Sequence, residues 1–222
     1  MKKSLVMVVA VAAMTMGAGN AFADWAGNQR YAEANKEVDS AGKVVFYGDS
    51  ITDAWPRQSP VFFTTNNFVG RGISGQTTAQ MLCRFRQDVI DLKPSTVVIL
   101  AGINDIAENV GPIAPENILG NIKSMTELAK QNGIKVCLCS VTPCDGFGWN
   151  KKITDSVERI NYLNAKLKAY AEIEDIPYVD YYSKLADENG GMGANAKDGV
   201  HPNAQGYAIM EAAVLPIVLG LD

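Results

Sequence analysis

The chain has 222 residues, 47% of them hydrophobic and 20% charged, with a formal net charge of −4. That composition excludes disordered, collagen-like and coiled-coil classes and fits one domain with a sizeable core. With an acidic balance and no basic run, nucleic acid is not an expected partner.

At the N-terminus, Met1-Lys2-Lys3 precedes an apolar stretch over residues 5–14, and Ala21-Phe22-Ala23 supplies a small-x-small pattern. The pattern predicts a signal peptide over residues 1–23, cleaved after Ala23. The apolar stretch is shorter than the about 20 residues a bilayer span needs. The expectation is an exported protein, periplasmic or extracellular, with no stable membrane insertion after cleavage and one domain over 24–222.

Residues 25–38 read as a polar helix or arm. The apolar run 43–47, ending at Gly48, suits a buried strand, and 67–70 is a weaker second one. Residues 77–92 carry a helical stripe of Met81, Phe85, Val89 and Leu92, closed by Pro94. A β-rich run over 96–101 ends at Gly102, and 115–132 reads as a helix with Gly133 just past its end. A strand over 134–141 follows, stopped by Pro143. Helical spacing returns over 153–173 at Val157, Ile160, Leu163, Leu167 and Tyr170. A short strand over 177–181 and a helix over 203–218 complete the series. Continuous apolar strands alternating with helices predict an α/β domain whose parallel sheet is covered on both faces.

Cys83, Cys137, Cys139 and Cys144 are too sparse for a disulfide scaffold, which a core of this size does not need. Cys137 and Cys139 alternate on one strand, with Cα atoms ~6.6 Å apart, near the limit for bridging. Buried thiols are expected, with a bridge to Cys144 left open. No ligand set suggests zinc and no phosphate-binding loop appears, so neither metal nor cofactor is expected.

In open parallel sheets, sites form where strands end and loops lead into helices. The segments in those places are Gly48-Asp49-Ser50-Ile51-Thr52, Gly70-Arg71-Gly72-Ile73-Ser74-Gly75-Gln76-Thr77-Thr78, Gly102-Ile103-Asn104-Asp105 and Asp198-Gly199-Val200-His201-Pro202. A serine hydroxyl is a poor nucleophile until a base takes its proton. His201, the sole histidine in the chain, is the only imidazole available to Ser50. Asp198, three residues earlier, is close enough to bond its Nδ1–H and fix the tautomer. The absence of a Gly-x-Ser-x-Gly elbow argues against the α/β-hydrolase fold.

In this order, the four segments resemble the blocks of the SGNH (GDSL-type) hydrolase superfamily over nearly the whole mature chain. The first two look most like the branch of platelet-activating-factor acetylhydrolase catalytic subunits and related bacterial acylesterases. The resemblance implies a flavodoxin-like three-layer α/β/α sandwich around a mostly five-stranded parallel sheet. It implies a serine esterase with Ser50, Asp198 and His201 as catalytic residues. The oxyanion hole would consist of the backbone N–H groups of Ser50 and Gly75 and the amide of Asn104. A small-molecule or glycan ester is the implied partner, with short acyl groups, acetyl first.

Rival readings accompany these. Ser50 could merely cap a helix, and Asn104 could be a turn residue. Ser74 is a second serine by position only. Asp49 and Asp105 read as structural. Trp55, Phe147 and Trp149 are candidates to line the acyl or sugar pocket, or else core. Arg71 would bind an anionic group or form a surface salt bridge. A lysophospholipase or thioesterase of the same fold, or a non-catalytic glycan-binding module, are the alternative functions.

Overall fold

The computed structural model describes residues 24–39 and 43–221, so the expected signal peptide lies outside the described residues. Five parallel strands form one sheet in the order β2-β1-β3-β4-β5: β1 Val44–Gly48, β2 Val69–Gly72, β3 Thr96–Leu100, β4 Lys135–Cys139 and β5 Tyr178–Val179. The helices are α1 Ala32–Lys36, α2 Ser50–Gln58, α3 Pro60–Thr65, α4 Thr78–Asp88, α5 Ile103–Ile106, α6 Pro115–Gln131, α7 Ser156–Ile173, α8 Tyr181–Leu185 and α9 Ala204–Leu219.

Strand alternation assigns the two faces. Val45, Tyr47, Val97, Ile99, Val136 and Leu138 meet Met81 and Phe85 of α4, Ile118 and Ile122 of α6, and Ile160 and Leu163 of α7. Val44, Phe46, Val98, Leu100, Cys137 and Cys139 meet Ile51 and Trp55 of α2, Phe63 of α3, Tyr181 of α8, and Tyr207, Met210 and Val214 of α9. This is the expected three-layer sandwich. Each large side chain so buried contributes about 1.5–3 kcal/mol. The stripe of α4 therefore holds that helix in place, and Leu92 stays buried through a 3₁₀ turn, Ile90–Leu92, after α4 has ended at Asp88.

Some local expectations needed correcting. Residues 25–38 contain only one short helix, α1, within an arm of turns. Four short helices, α2, α3, α5 and α8, have too few residues to display a helical period. The cysteines carry no bridge. Cys137 and Cys139 point into the α9 layer while Cys144 belongs to the α6–α7 layer, so the sheet keeps them apart. Burial pushes the Cys144 thiol up to about 11. Cys83 is exposed, against expectation, on the outer side of α4.

After β1 the chain moves outward to β2, then crosses back to β3 on the other side of β1. The crevice between the carboxyl ends of β1 and β3 is the switch point where such sheets bind ligands. Asp49 and Ser50 leave one of those ends, and Gly102 to Asn104 the other. No helix among the described residues is long and apolar enough to cross a membrane.

Candidate active site

Ser50 is the first residue of α2, and Asp49 is its cap, with Oδ1 accepting the Ile51 N–H at 3.0 Å. The capping task falls to Asp49, which leaves the Ser50 hydroxyl free for another partner. That partner is His201, whose Nε2 lies 2.9 Å from Ser50 Oγ. His201 Nδ1 lies 2.8 and 3.0 Å from the two oxygens of Asp198. A carboxylate only accepts, so Nδ1 carries the proton and Nε2 is left to accept from the serine hydroxyl.

The His201 loop is shaped by its own backbone. Asp198 Oδ1 also accepts the N–H groups of Val200 (3.2 Å) and His201 (2.9 Å), and Lys197 N–H donates to the His201 carbonyl at 2.7 Å. Partial burial disfavours the Asp198 charge, but bonds from the His201 backbone and ring and from Val200 outweigh it and hold this carboxyl below its ordinary range. Asn203 then caps α9, accepting from Gln205 and Gly206.

A cleft of about 510 Å³ opens in front of this pair, lined by Ser50, Gly75, Asn104, Asn109, Trp149 and His201 among others. Gly75 has φ +78, a backbone state that disfavours any side chain, and its missing Cβ would meet nothing within 4 Å. Asn104 is buried and donates from Nδ2 to the Gln76 carbonyl at 3.0 Å. Its Oδ1 accepts from Asn109 Nδ2 at 2.9 Å. A smaller recess of about 270 Å³ adjoins the cleft at Ser50, Ser74 and His201, between Asp53, Arg57, Lys197 and Tyr207. A hollow of about 770 Å³ beside β5, between Lys168, Asp175 and Leu221, is remote from these groups.

Behind the cleft stands Arg84, fully buried on α4. Its guanidinium donates to the carbonyls of Gly48 (2.8 Å) and Arg71 (3.0 Å), to Gln76 Oε1 (2.5 Å) and to Asp88 (2.9 Å), and lies 4.4 Å from the Tyr47 ring centroid. One side chain thus ties the loop after β1 to the loop after β2. The N-terminal arm fastens the same loop from outside: Gln76 Nε2 donates to the Ala26 carbonyl and Tyr31 Oη to that of Gly72. Gly72 itself is packed so closely that a Cβ would stand 2.1 Å from the Asp53 nitrogen. Asp105 accepts from both Thr78 N (2.8 Å) and Thr78 Oγ1 (2.7 Å), joining the loop after β3 to the start of α4. Burial raises its carboxyl to about 6, and raises that of Asp49, whose Oδ2 has no hydrogen-bond partner among the described residues, to about 7.

Ser50, Gly75, Asn104, Asp198 and His201 are therefore brought together, and Trp149 stands half-exposed on the cleft wall. Three expected pocket residues lie elsewhere. Trp55 is sealed in the aromatic cluster with Phe46, Phe62 and Phe63, its indole N–H donated to Glu211. Arg71 is buried, bonded through Nε to Asn35 and stacked on Tyr31, so it is neither an anion ligand in the cleft nor a surface salt bridge. Phe147 packs in the core and touches Trp149 from behind. Ser74 lines the cleft, whereas the imidazole is bonded to Ser50. Sequence reasoning missed Asn109, Gln80, Val110 and Arg84. Only Arg84 left a trace, a charged residue beside Phe85 in the buried stripe with Asp88 one turn on. Among the described residues no group of three or more His, Cys, Asp or Glu is placed to hold a metal ion.

The model of the GDSL-like lipase/acylhydrolase family matches residues 46–209. A GDSL-like lipase from Bacteroides thetaiotaomicron is 47% identical, with a TM-score of 0.85 over 88% of this chain and 98% of that one. A solved structure from Bacteroides fragilis is 48% identical, with a TM-score of 0.86 over 89% and 99% of the two chains. Esterase TesA of Pseudomonas aeruginosa is 28% identical over 137 residues, 60% of each protein. The chain spans from a third to three fifths of the length of the curated relatives it matches.

Proposed function

The chain belongs to the GDSL-like lipase/acylhydrolase family, and on that premise we propose that it is a serine esterase that removes short acyl groups, acetyl above all, from a carbohydrate-like alcohol. The observation that carries the reading is the Ser50–His201–Asp198 chain, with contacts of 2.9 and 2.8 Å.

In this mechanism Ser50 Oγ attacks the ester carbonyl while its proton passes to His201 Nε2. Asp198 stabilises the imidazolium. The carbonyl oxygen becomes an oxyanion facing the N–H groups of Ser50 and Gly75 and the Asn104 amide. Collapse breaks the bond to the alcohol oxygen, which takes the proton from Nε2 and leaves, and the acyl group remains on Ser50. Water then attacks the acyl carbonyl, with His201 again taking a proton and returning it to Ser50 Oγ as the acid departs.

Two features support a small acyl group on a polar alcohol. The cleft presents Ser74, Gln80, Asn104 and Asn109, with Val110 and Trp149 as its large apolar surfaces, and it is an open trough. The recess on the His201 side, where the leaving alcohol would stand, is lined by charged and hydroxyl groups. Export after cleavage behind Ala23 belongs to the same reading and is supported by the sequence of residues 1–23.

Fluorophosphonate labelling followed by an acyl-length series on aryl esters tests the reading. Ser50 should be the labelled residue, and acetyl should be cleaved faster than octanoyl. Absence of labelling would leave a glycan-binding module, and faster octanoyl cleavage would leave a lipase or thioesterase.

A further inference from the structure

We infer that Asn109 is a positioning residue for the Asn104 amide, with Trp149 as its outer anchor; the inference rests on the reading of Asn104 as an oxyanion donor. Three bonds run in series from the cleft wall to the floor: Trp149 Nε1 to Asn109 Oδ1 (2.8 Å), Asn109 Nδ2 to Asn104 Oδ1 (2.9 Å), and Asn104 Nδ2 to the Gln76 carbonyl (3.0 Å).

The polarity of this series is fixed at both ends. An indole N–H can only donate, and a backbone carbonyl can only accept. Trp149 therefore demands the oxygen of Asn109, which turns the Asn109 NH₂ towards Asn104. Asn104 must answer with its oxygen, and its own NH₂ is turned to Gln76, leaving one N–H to be offered to the cleft. An unconstrained amide could rotate by half a turn and present its oxygen to the developing oxyanion, replacing attraction with repulsion. Asn109 Nδ2 also reaches the Gly75 carbonyl at 3.3 Å, so one side chain braces two of the three proposed oxyanion donors.

Asn109 is exposed, yet its loop is held. Its N–H donates to the Asn104 carbonyl (3.0 Å), Asn150 Nδ2 donates to the Ala107 carbonyl (2.9 Å), and Arg159 pairs with Glu108 (2.9 Å). Trp149 in turn rests on Phe147, with ring centroids 5.3 Å apart. A side chain with no burial to gain is thus fixed at both of its amide atoms, as orientation of a neighbour requires.

The test is a mutant cycle read as kcat and KM on an aryl acetate. Asn109→Ala should lower kcat about tenfold and leave KM within about twofold, less than loss of an oxyanion donor itself costs. Because Asn109 acts through Asn104, adding Asn109→Ala to Asn104→Ala should cost less than about twofold more. Trp149→Phe keeps an aromatic ring beside Phe147 while removing the indole N–H together with part of the ring; a kcat loss of about two- to threefold is expected, and this arm stands if Asn109→Ala does not fold. A normal loss at Asn104 with none at Asn109, or two losses that multiply, overturns the assignment. Wild-type turnover in Asn104→Ala overturns the oxyanion reading, and the assignment with it.

Discussion

The two walls of the cleft are held in opposite ways. On the nucleophile's side, three loops are locked by buried, long-range bonds, with Arg84 joining Gly48, Arg71 and Gln76 and Asp105 joining Thr78. On the histidine's side, the loop over 197–203 shapes itself: Asp198 accepts from residues two and three positions on, and its side chain is 51% exposed. Precision on the first wall is bought with burial of polar groups. On the second it comes from a local turn chemistry that can be altered without touching the core. Stability and catalysis should therefore separate by wall.

The largest effect tests the second wall. His201→Ala should lower kcat by about 10⁴-fold or more, and adding Ser50→Ala should cost little beyond it, because the pair acts as a unit. Melting temperature should barely move, since the partly exposed ring bonds Asp198, three residues away, and across the cleft a single hydroxyl, that of Ser50. A steep loss of stability would erase the contrast between the walls.

Arg84→Met probes the first wall. It leaves the buried Asp88 carboxylate without its cation, and one remaining bond from Asn35 does not compensate. Breaking a buried pair in this way costs about 3–5 kcal/mol, a fall of roughly ten degrees in Tm for a chain of this size. Thermal unfolding should show that fall together with a loss of turnover in the surviving folded fraction.

The smallest effect concerns Asp49. Burial holds its proton up to about pH 7, whereas the unfolded chain releases it near the ordinary carboxylate value. The folded state then binds more protons, so stability falls as pH rises through that interval, by at most about 1.4 kcal/mol per pH unit. Asp105 adds the same sign up to about 6, and Asp198, whose carboxyl is lowered, acts oppositely only on the acid side. Asp49→Asn should flatten the fall in Tm between about pH 5 and 7. An unchanged slope in melts across that range would show that Asp49 carries its charge in the fold.

The same contrast decides what was readable beforehand. Strands β1, β3 and β4 announced themselves as apolar runs, and α4, α6, α7 and α9 as periodic stripes or apolar helices, because burial imposes a repeating pattern. Ser50, Gly75 and Asn104 stood in short blocks at strand ends, and Asp198 and His201 in one just ahead of α9; the structure puts Ser50, Gly75, Asn104 and His201 on one cleft, with Asp198 in the recess beside His201. Asn109 and Arg84 act through partners 40 and 36 positions away, Trp149 and Gly48, and no local pattern encodes such pairings. Trp55 was ambiguous for another reason. A large aromatic ring gains as much from a core as from a pocket, and only its neighbours Phe46 and Phe62 decide between them.

The hydrogen bond between Ser50 and His201 spans 151 positions of sequence, and the Tyr207 hydroxyl reaches the Ile51 carbonyl across 156. Contacts that close so long a loop are paid for late, after the sheet between them has formed. A nascent chain would thus carry its serine through most of synthesis with no base to activate it. Turnover becomes a property of the finished molecule, and in a denaturant titration its loss should follow the global unfolding curve.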